Sequence, residues 1–444
     1  MVSLKAFKSY DVRGVYPSDI NEEVASLTAK AFAFYLKADK LVIGRDGRES
    51  SPSLYASVVE ALMELGIDVY DLGLCTTPLL NYAVAAKNFP GGIMITASHN
   101  PKEYNALKLV RDAIQFSSPG ELDLVKKLVE DPSGIKPWKQ GRGRKVTLDV
   151  LKDYVSEIVE HFEKVKGLKI IVDCANGMGA ITARPVFESL GLDFRFLNEE
   201  VNFNTPHHQA NPAEEHNLEQ LRAAVIEEKA DCGVFFDGDA DRSLLIDEKG
   251  DVVFADILTS ILVPHELNGR VDKRVYYDLR FSKVVKEVIG ANRGTPVMMR
   301  VGNPFYKEKL KNEGGVFAAE LSGHMMFQDH YAIDDGLYAA LKGLKAMVVE
   351  GKKLSELAKS FQKYFTTPEM NYHVKDADEV LSRVADAFKD GKSLELDGVF
   401  VSYDDWWFNL RKSNTEPVVR LRIEADSKEK LDAMLKKIEG ILKA

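Results

Sequence analysis

Three carboxylates at alternating positions, Asp237-Gly238-Asp239-Ala240-Asp241-Arg242, follow directly on the apolar run Cys232-Gly233-Val234-Phe235-Phe236. Like charges packed this closely repel one another, so the arrangement asks for a shared cation. Oxygen donors suit a hard ion, Mg²⁺ rather than zinc. The calcium loop of helix–loop–helix proteins also starts with alternating aspartates, and Glu248 stands at its twelfth position. Arg242, however, occupies the sixth position, where that loop needs glycine, and the flanks read as strands. A solvated acidic turn would not explain why the charges sit flush against a buried strand.

Three further stretches can do chemistry. Thr96-Ala97-Ser98-His99-Asn100-Pro101 is entered by the run Gly92-Ile93-Met94-Ile95 and left by an Asn-Pro pair that no helix tolerates. Ser98 therefore sits where a strand meets a loop, as a nucleophile or as an ordinary turn residue. Glu320-Leu321-Ser322-Gly323-His324 offers an acceptor, a hydroxyl and an imidazole, a set that suits vicinal sugar hydroxyls; a lone histidine there is also a common structural residue. Arg411-Lys412-Ser413-Asn414-Thr415-Glu416-Pro417 supplies cations, hydroxyls and an amide between two strands, either a phosphate grip or a polar hairpin loop. Arg13 in Tyr10-Asp11-Val12-Arg13-Gly14, with Arg45, Arg48, Lys108, Arg242, Arg280 and Arg300, gathers near predicted strand ends. In a chain of net charge -9, these point to a local pocket for an anion and away from general nucleic-acid binding.

The elements that must hold these loops recur along the chain. Strands over Leu41–Ile43, Asp68–Tyr70 and Gly92–Ile95 alternate with helices, the order of a mainly parallel sheet. The pattern returns with Leu168–Val172, Phe194–Leu197 and Cys232–Phe236, and more weakly with Arg274–Tyr277 and Gly315–Ala319. Each copy ends a late strand in polar residues: Ser98, Asp237 or Glu320. After about residue 367 the pattern changes to antiparallel strands (Phe400–Tyr403, Trp406–Leu410, Val418–Ile423) and a closing helix, Ser427 to Leu442. The expected fold is α/β: three similar mixed α/β domains around a central cleft plus a smaller C-terminal α+β domain. The expected boundaries are 1–146, 147–250, 251–367 and 368–444. The 444 residues, 45% hydrophobic, afford large cores, and no apolar run approaches membrane-spanning length. Three scattered cysteines without metal spacing point to reduced thiols and a cytoplasmic protein.

With its four loops in this order, the whole chain resembles the α-D-phosphohexomutase family, most closely its phosphomannomutase/phosphoglucomutase branch. The resemblance implies a four-domain enzyme with one loop per domain facing the cleft. It implies reversible phosphoryl transfer between the 1- and 6-positions of mannose and/or glucose phosphate, with hexose 1,6-bisphosphate (glucose 1,6-bisphosphate) as intermediate and activator. Ser98 matches the serine that carries the phosphoryl group. Asp237, Asp239 and Asp241 match the Mg²⁺ ligands, with the phosphoserine as a further ligand. Glu320 and Ser322 match residues holding the sugar 3- and 4-hydroxyls. Arg411, Ser413, Asn414 and Thr415 match the phosphate-binding loop, supported by Arg420. Tyr10, Arg13, His99, Lys108, Arg242 and His324 match further active-site positions, and Arg300 joins the substrate side.

Among these, Lys108 is the expected general acid/base, an amine tuned by cationic neighbours. His99 is expected to touch a phosphate or orient its loop. Two departures bear on sugar preference: Arg280 stands where lysine is frequent, and Asn303 where the branch has a substrate-contacting histidine. Phe203-Asn204-Thr205-Pro206-His207-His208 is a variant of an Asn/His-rich family loop whose histidines read as structural. The alternatives are a phosphoglucosamine mutase, a metal phosphatase and a non-catalytic sugar-phosphate-binding protein. The expected partner is a small hexose phosphate, with no nucleic acid or membrane, for a monomer or homo-oligomer.

Overall fold

The computed structural model describes residues 4–137, 141–412 and 418–443. Its first three sheets repeat one plan. In the first, Lys40–Arg45 lies between Asp68–Leu74 and Gly92–Ile95, parallel to both; Tyr104–Arg111 then pairs antiparallel with Gly92–Ile95. In the second, Lys169–Asp173 lies between Asp193–Leu197 and Cys232–Phe236, and Ser243–Asp247 pairs antiparallel with the latter. In the third, Arg274–Asp278 lies between Thr295–Met299 and Phe317–Ala319, and Met325–Phe327 returns antiparallel. Each candidate loop is the connection between the last parallel strand and this antiparallel return. The chain leaves the carboxyl edge of a buried parallel strand there, the edge at which open α/β sheets bind ligands.

Buried apolar runs make these strands. Gly92–Ile95 and Cys232–Phe236 are buried at every residue, as a strand covered on both faces requires. Helices pack on the sheets and are started by local caps. Asn21 accepts the Val24 N–H at 3.1 Å at the head of Glu22–Leu36, and Asp335 caps Gly336–Glu350 through the N–H groups of Leu337 and Tyr338.

The first three units share one apolar core, which runs through Val42, Leu80, Tyr154, Val172, Phe236, Tyr277, Phe317 and Tyr338. Consecutive aspartates fasten it further: Asp334 accepts from Asn81 (3.2 Å), and Asp335 from Tyr154 (2.7 Å). The C-terminal sheet is wholly antiparallel, with Val418–Ala425 between Trp406–Lys412 and the pair Phe365–Thr366 and Met370–His373. It has its own core of Val384, Trp406, Phe408, Leu421 and Ile438. It meets the third unit through a small apolar cluster, Leu279, Val301, Phe400 and Trp407, and through ion pairs such as Arg422–Asp256 (3.1 Å). None of the described helices is long and apolar enough to cross a membrane.

Candidate active site

Ser98 is buried and held in the left-handed region, at φ 52°. Such a conformation is rare outside glycine and has to be enforced by surroundings. Its N–H donates to Thr96 Oγ1 (3.0 Å), and its Oγ donates to Asp237 Oδ2 across the interface between the first two units (2.6 Å). Arg242 Nη2 donates to the same Oγ (3.2 Å) and to Asp237 Oδ2 (2.6 Å). His99 Nδ1 lies 3.2 Å from Ser98 Oγ and in hydrogen-bond contact with Arg242 Nη2. Burial first, and Arg242 second, hold the His99 imidazole well below its usual pKa, so it stays neutral. Its Nδ1 accepts from Arg242, and the single Ser98 proton goes to Asp237. His99 therefore does not take that proton in the manner of a hydrolase base and instead orients the turn.

Asp237, Asp239 and Asp241 bring their carboxylates within 4.8 Å of one another, all buried. Burial first, then Asp241 and Asp239, raise the Asp237 carboxyl to about 7 against the pull of Arg242. Asp239 spends Oδ2 on Lys108 (2.6 Å) and Thr77 Oγ1 (2.5 Å), and Asp241 spends Oδ2 on Lys108 (2.8 Å). Their Oδ1 atoms have no hydrogen-bond partner among the described residues. Asp239 Oδ1 and Asp241 Oδ1, the latter faced by His324 Nε2 (3.4 Å) and Arg242 Nε (3.7 Å), join a third carboxylate and a serine Oγ in an all-oxygen donor set that fits a hard divalent cation.

Lys108 projects from the antiparallel return strand, opposite Met94, into this cluster. The expectation that cationic neighbours tune it is not met. Burial alone would lower its pKa, but the carboxylates of Asp239 and Asp241 outweigh burial and raise it, so the ammonium form is favoured. Arg13 is spent on Asp11 (2.6 Å), the Ala97 carbonyl (3.1 Å) and the Asn100 side chain, so it props the Ser98 loop. The sequence groups Arg45 and Arg48 with the anion-pocket cations. Arg45 instead donates to the Asp46 carbonyl (3.2 Å), and Arg48 lies beneath the Ser98 loop.

The Glu320 loop meets the aspartate loop directly: Arg242 and His324 form an isolated antiparallel bridge. Glu320 Oε2 accepts from Ser322 Oγ (2.8 Å) and contacts His324 Nδ1 (3.0 Å), while Oε1 accepts the Gly302 N–H (3.0 Å). His324 Nε2 lies 3.4 Å from Asp241 Oδ1. Burial lowers the His324 imidazole, but Asp241 and Glu320 prevail and raise it to about 9. Tyr10 crosses from the first unit to donate to the Val301 carbonyl (3.2 Å), and burial, aided by Glu320, raises its phenol to about 12. Arg300 stacks on Phe305 (4.4 Å), and Asn303 donates to Asp334 Oδ2 (2.6 Å).

Arg411 and Arg420 stand directly opposite each other on paired strands, an arrangement that repels unless a counter-charge is supplied. Glu369 supplies it. It contacts Arg411 Nη2 (3.0 Å), Arg420 Nη1 (3.7 Å) and, from the third unit, Arg280 Nη1 (2.9 Å). Arg280 is also bidentate to Asp278 (2.9 and 2.5 Å). Ser413, Asn414 and Thr415 lie outside the described residues. Sequence reasoning missed Thr77 and Glu369 and misassigned Arg48. Nothing local marks Glu369 in Thr367-Pro368-Glu369, whereas the spacing Asp46-Gly47-Arg48 does carry a signal, a side-chain pair two residues apart at a strand end.

Family models match the chain from end to end. Those described as phosphoglucomutase/phosphomannomutase alpha/beta/alpha domains I, II and III cover residues 4–132, 152–250 and 250–364, and the C-terminal domain covers 369–441. A phosphomannomutase of Methanocaldococcus jannaschii is 34% identical over 99% of this chain and 98% of its own length. A phosphomannomutase/phosphoglucomutase of Pseudomonas aeruginosa is 31% identical over 99% and 95%. A solved phosphoglucomutase/phosphomannomutase family protein from Burkholderia thailandensis superimposes with a TM-score of 0.92 at 29% identity, over 100% of this chain and 98% of that one.

Proposed function

This chain belongs to the phosphoglucomutase/phosphomannomutase family, and on that premise we propose that it moves a phosphoryl group between O1 and O6 of a hexose phosphate, with Ser98 as carrier. The reaction class is that of a phosphohexomutase, an intramolecular phosphotransferase. In the first half, the bond between phosphorus and Ser98 Oγ breaks, and a bond to the free sugar hydroxyl forms as that hydroxyl loses its proton. The hexose 1,6-bisphosphate turns over in the cleft. The other phosphoryl group then returns to Ser98 Oγ, and the proton goes back to the oxygen it leaves.

The observation that supports this reading best is Ser98 itself. A strained, backbone-held hydroxyl lies 2.6 Å from a buried aspartate and 3.2 Å from a buried guanidinium. Phosphoryl transfer needs positioning and charge neutralisation. Arg242 carries fixed positive charge to that spot. Lys108 is the group we assign to carry the hydroxyl proton, accepting it as the minor neutral amine and returning it as the ammonium that Asp239 and Asp241 favour, with His99 as orienter. Mg²⁺ held by Asp237, Asp239, Asp241 and the phosphoserine would add further neutralisation of the phosphoryl oxygens. Glu320 and Ser322 take the sugar 3- and 4-hydroxyls. Those hydroxyls are common to glucose and mannose, so both sugars are accepted. Tyr10, Arg300, Asn303 and His324 line the sugar side. Arg280, Arg411, Ser413, Asn414, Thr415 and Arg420 hold the distal phosphate. In the reducing compartment that this reading implies, Cys75, Cys174 and Cys232 stay buried thiols.

Intact-protein mass spectrometry tests the reading. After incubation with glucose 1,6-bisphosphate, one phosphoryl group is expected on the chain and none on Ser98→Ala. A wild-type chain that never gains it refutes Ser98 as carrier, and release of inorganic phosphate in place of isomerisation identifies a phosphatase. Turnover of glucose, mannose and glucosamine phosphates, measured side by side, ranks the sugars.

A further inference from the structure

The side chain that grips the Ser98 turn most extensively takes no part in the reaction steps above. Arg48 is 1% exposed. Its Nη2 donates to the carbonyls of Ser98 and Asn100, both at 2.7 Å. Its Nη1 donates to those of Pro101 (2.7 Å) and Tyr104 (3.0 Å), and its Nε to Asp46 Oδ2 (3.1 Å). A guanidinium has five N–H donors, and all five are spent. Arg48 therefore has nothing left to offer a phosphate.

The surroundings lock this fork in place. Asp46 accepts the Arg48 N–H (3.0 Å) and the Ser51 hydroxyl (2.5 Å) as well. The ring of Phe203, from the second unit, lies 4.9 Å from the guanidinium carbon. A Cβ on Gly47 would fall 2.3 Å from Val201 Cγ1, so the segment Val201–Phe203 packs directly against the residue that precedes Arg48. On its far side the Ser98 carbonyl meets Gly238, where a Cβ would sit 2.3 Å away. The carbonyl is thus clamped between Arg48 and the aspartate loop. The two contacts hold the peptide that follows Ser98, whose own φ is 52°.

We propose that Arg48 is a positioning residue for phosphoryl transfer: it gathers four carbonyls of the serine loop, fixes the Ser98 backbone, and so aims Oγ at the aspartate cluster. Through Phe203 it ties that aim to the placement of the second unit. The proposal rests on Ser98 being the phosphoryl carrier. Lysine cannot substitute, because an ammonium has three donors on a flexible stem and leaves carbonyls unsatisfied where the fork served all of them.

The test uses the full-length protein with Arg48→Lys and Arg48→Ala. Steady-state rates, the rate of Ser98 phosphorylation by glucose 1,6-bisphosphate, and the melting temperature are measured for each. A misplacement of about 1 Å at a reacting atom costs roughly 100-fold, so R48K is expected to lose about 30- to 100-fold in kcat, and R48A at least as much. The rate of Ser98 phosphorylation falls in parallel. KM stays within about threefold, because among the described residues none of the side chains assigned to the sugar or the distal phosphate contacts Arg48. A folded R48K whose kcat lies within about threefold of wild type overturns the proposal. So does a raised KM at unchanged kcat, which would make Arg48 a binding residue. If R48A does not fold, R48K decides by the same criteria. A wild-type chain that never loads a phosphoryl group undoes the reading of Ser98 instead. With the wild type loaded and turning over, the outcome bears on Arg48 alone.

Discussion

Gly238 sits between two of the aspartates at the point where the second unit touches the serine loop, and replacing it by alanine perturbs catalysis in a calculable way. The added Cβ would lie 2.3 Å from the Ser98 carbonyl oxygen, 2.9 Å from its carbon and 3.3 Å from Phe203 Cε1. Ordinary contact begins near 3.4 Å, so one side must move by about 1 Å. Neither side has room. The Gly238 carbonyl is held by the Met178 N–H (2.9 Å), and Gly177 packs against it so closely that a Cβ there would fall 2.6 Å from that oxygen. The Ser98 carbonyl is held by Arg48 (2.7 Å). The clash is therefore relieved by parting the two units, which stretches the 2.6 Å Ser98–Asp237 contact beyond hydrogen-bonding range. A 1 Å error at the reacting atoms costs roughly 100-fold in kcat, or about 2.7 kcal/mol of barrier. Initial rates of conversion of mannose 1-phosphate and glucose 1-phosphate to their 6-phosphates measure it, beside melting temperatures. Gly290→Ala is the control. That glycine lies in the helix Lys283–Ala291 with nothing within 4 Å of its added Cβ. The control should keep its kcat and gain about 0.5–1 kcal/mol of stability from helix propensity. A Gly238→Ala enzyme within about threefold of wild-type kcat refutes the reasoning, because the close approach would then not govern the reaction.

Lys108→Met removes the ammonium that bridges Asp239 and Asp241 at 2.6 and 2.8 Å, and kcat is expected to fall about 100- to 1000-fold; near-normal turnover would exclude Lys108 from the reaction. Treatment with EDTA is expected to abolish turnover and added Mg²⁺ to restore it, and full activity in the chelated protein would count against a metal at the aspartates. Glu369→Gln removes the counter-charge between Arg411 and Arg420, so its melting temperature should lie below wild type at pH 7. Burial opposes ionisation of Glu369, but Arg280 and Arg411 outweigh it and lower the carboxyl from its usual 4.5 to about 2. A folded pKa below the unfolded one stabilises fully above about pH 4.5, and this contribution is lost as pH falls toward 2. The gap between wild type and variant should therefore narrow on acidification below about pH 5, and a widening gap, read by thermal melts across pH, would reverse the assigned sign.

What the chain determines by itself is the local chemistry of its loops and the units that carry them. Runs such as Cys232–Phe236 are buried at every residue, and their abrupt end in Asp237 marks both the strand and its carboxyl edge. That pattern is local in sequence, so the residue types of the loops and the parallel strands of three units were legible, except Thr295–Met299 in the third, which is only partly buried and ends in no such run. The antiparallel return Tyr104–Arg111 was not, although it carries Lys108, because that return is defined by its pairing with Gly92–Ile95 and not by a pattern of its own.

The same limit governs the site. Lys108 reads as one cation among several, yet its partners Asp239 and Asp241 lie more than a hundred residues away and reverse the expected direction of its titration. Arg48 reads as an anion-pocket arginine until its donors are traced to carbonyls about fifty residues further on. Glu369 becomes visible only where three arginines from two units converge on it. Charge interactions and hydrogen bonds depend on distance in space, and sequence separation carries little of that distance. The residue types were therefore written in the chain, while their protonation and their freedom to meet a substrate were decided by the packing of the units.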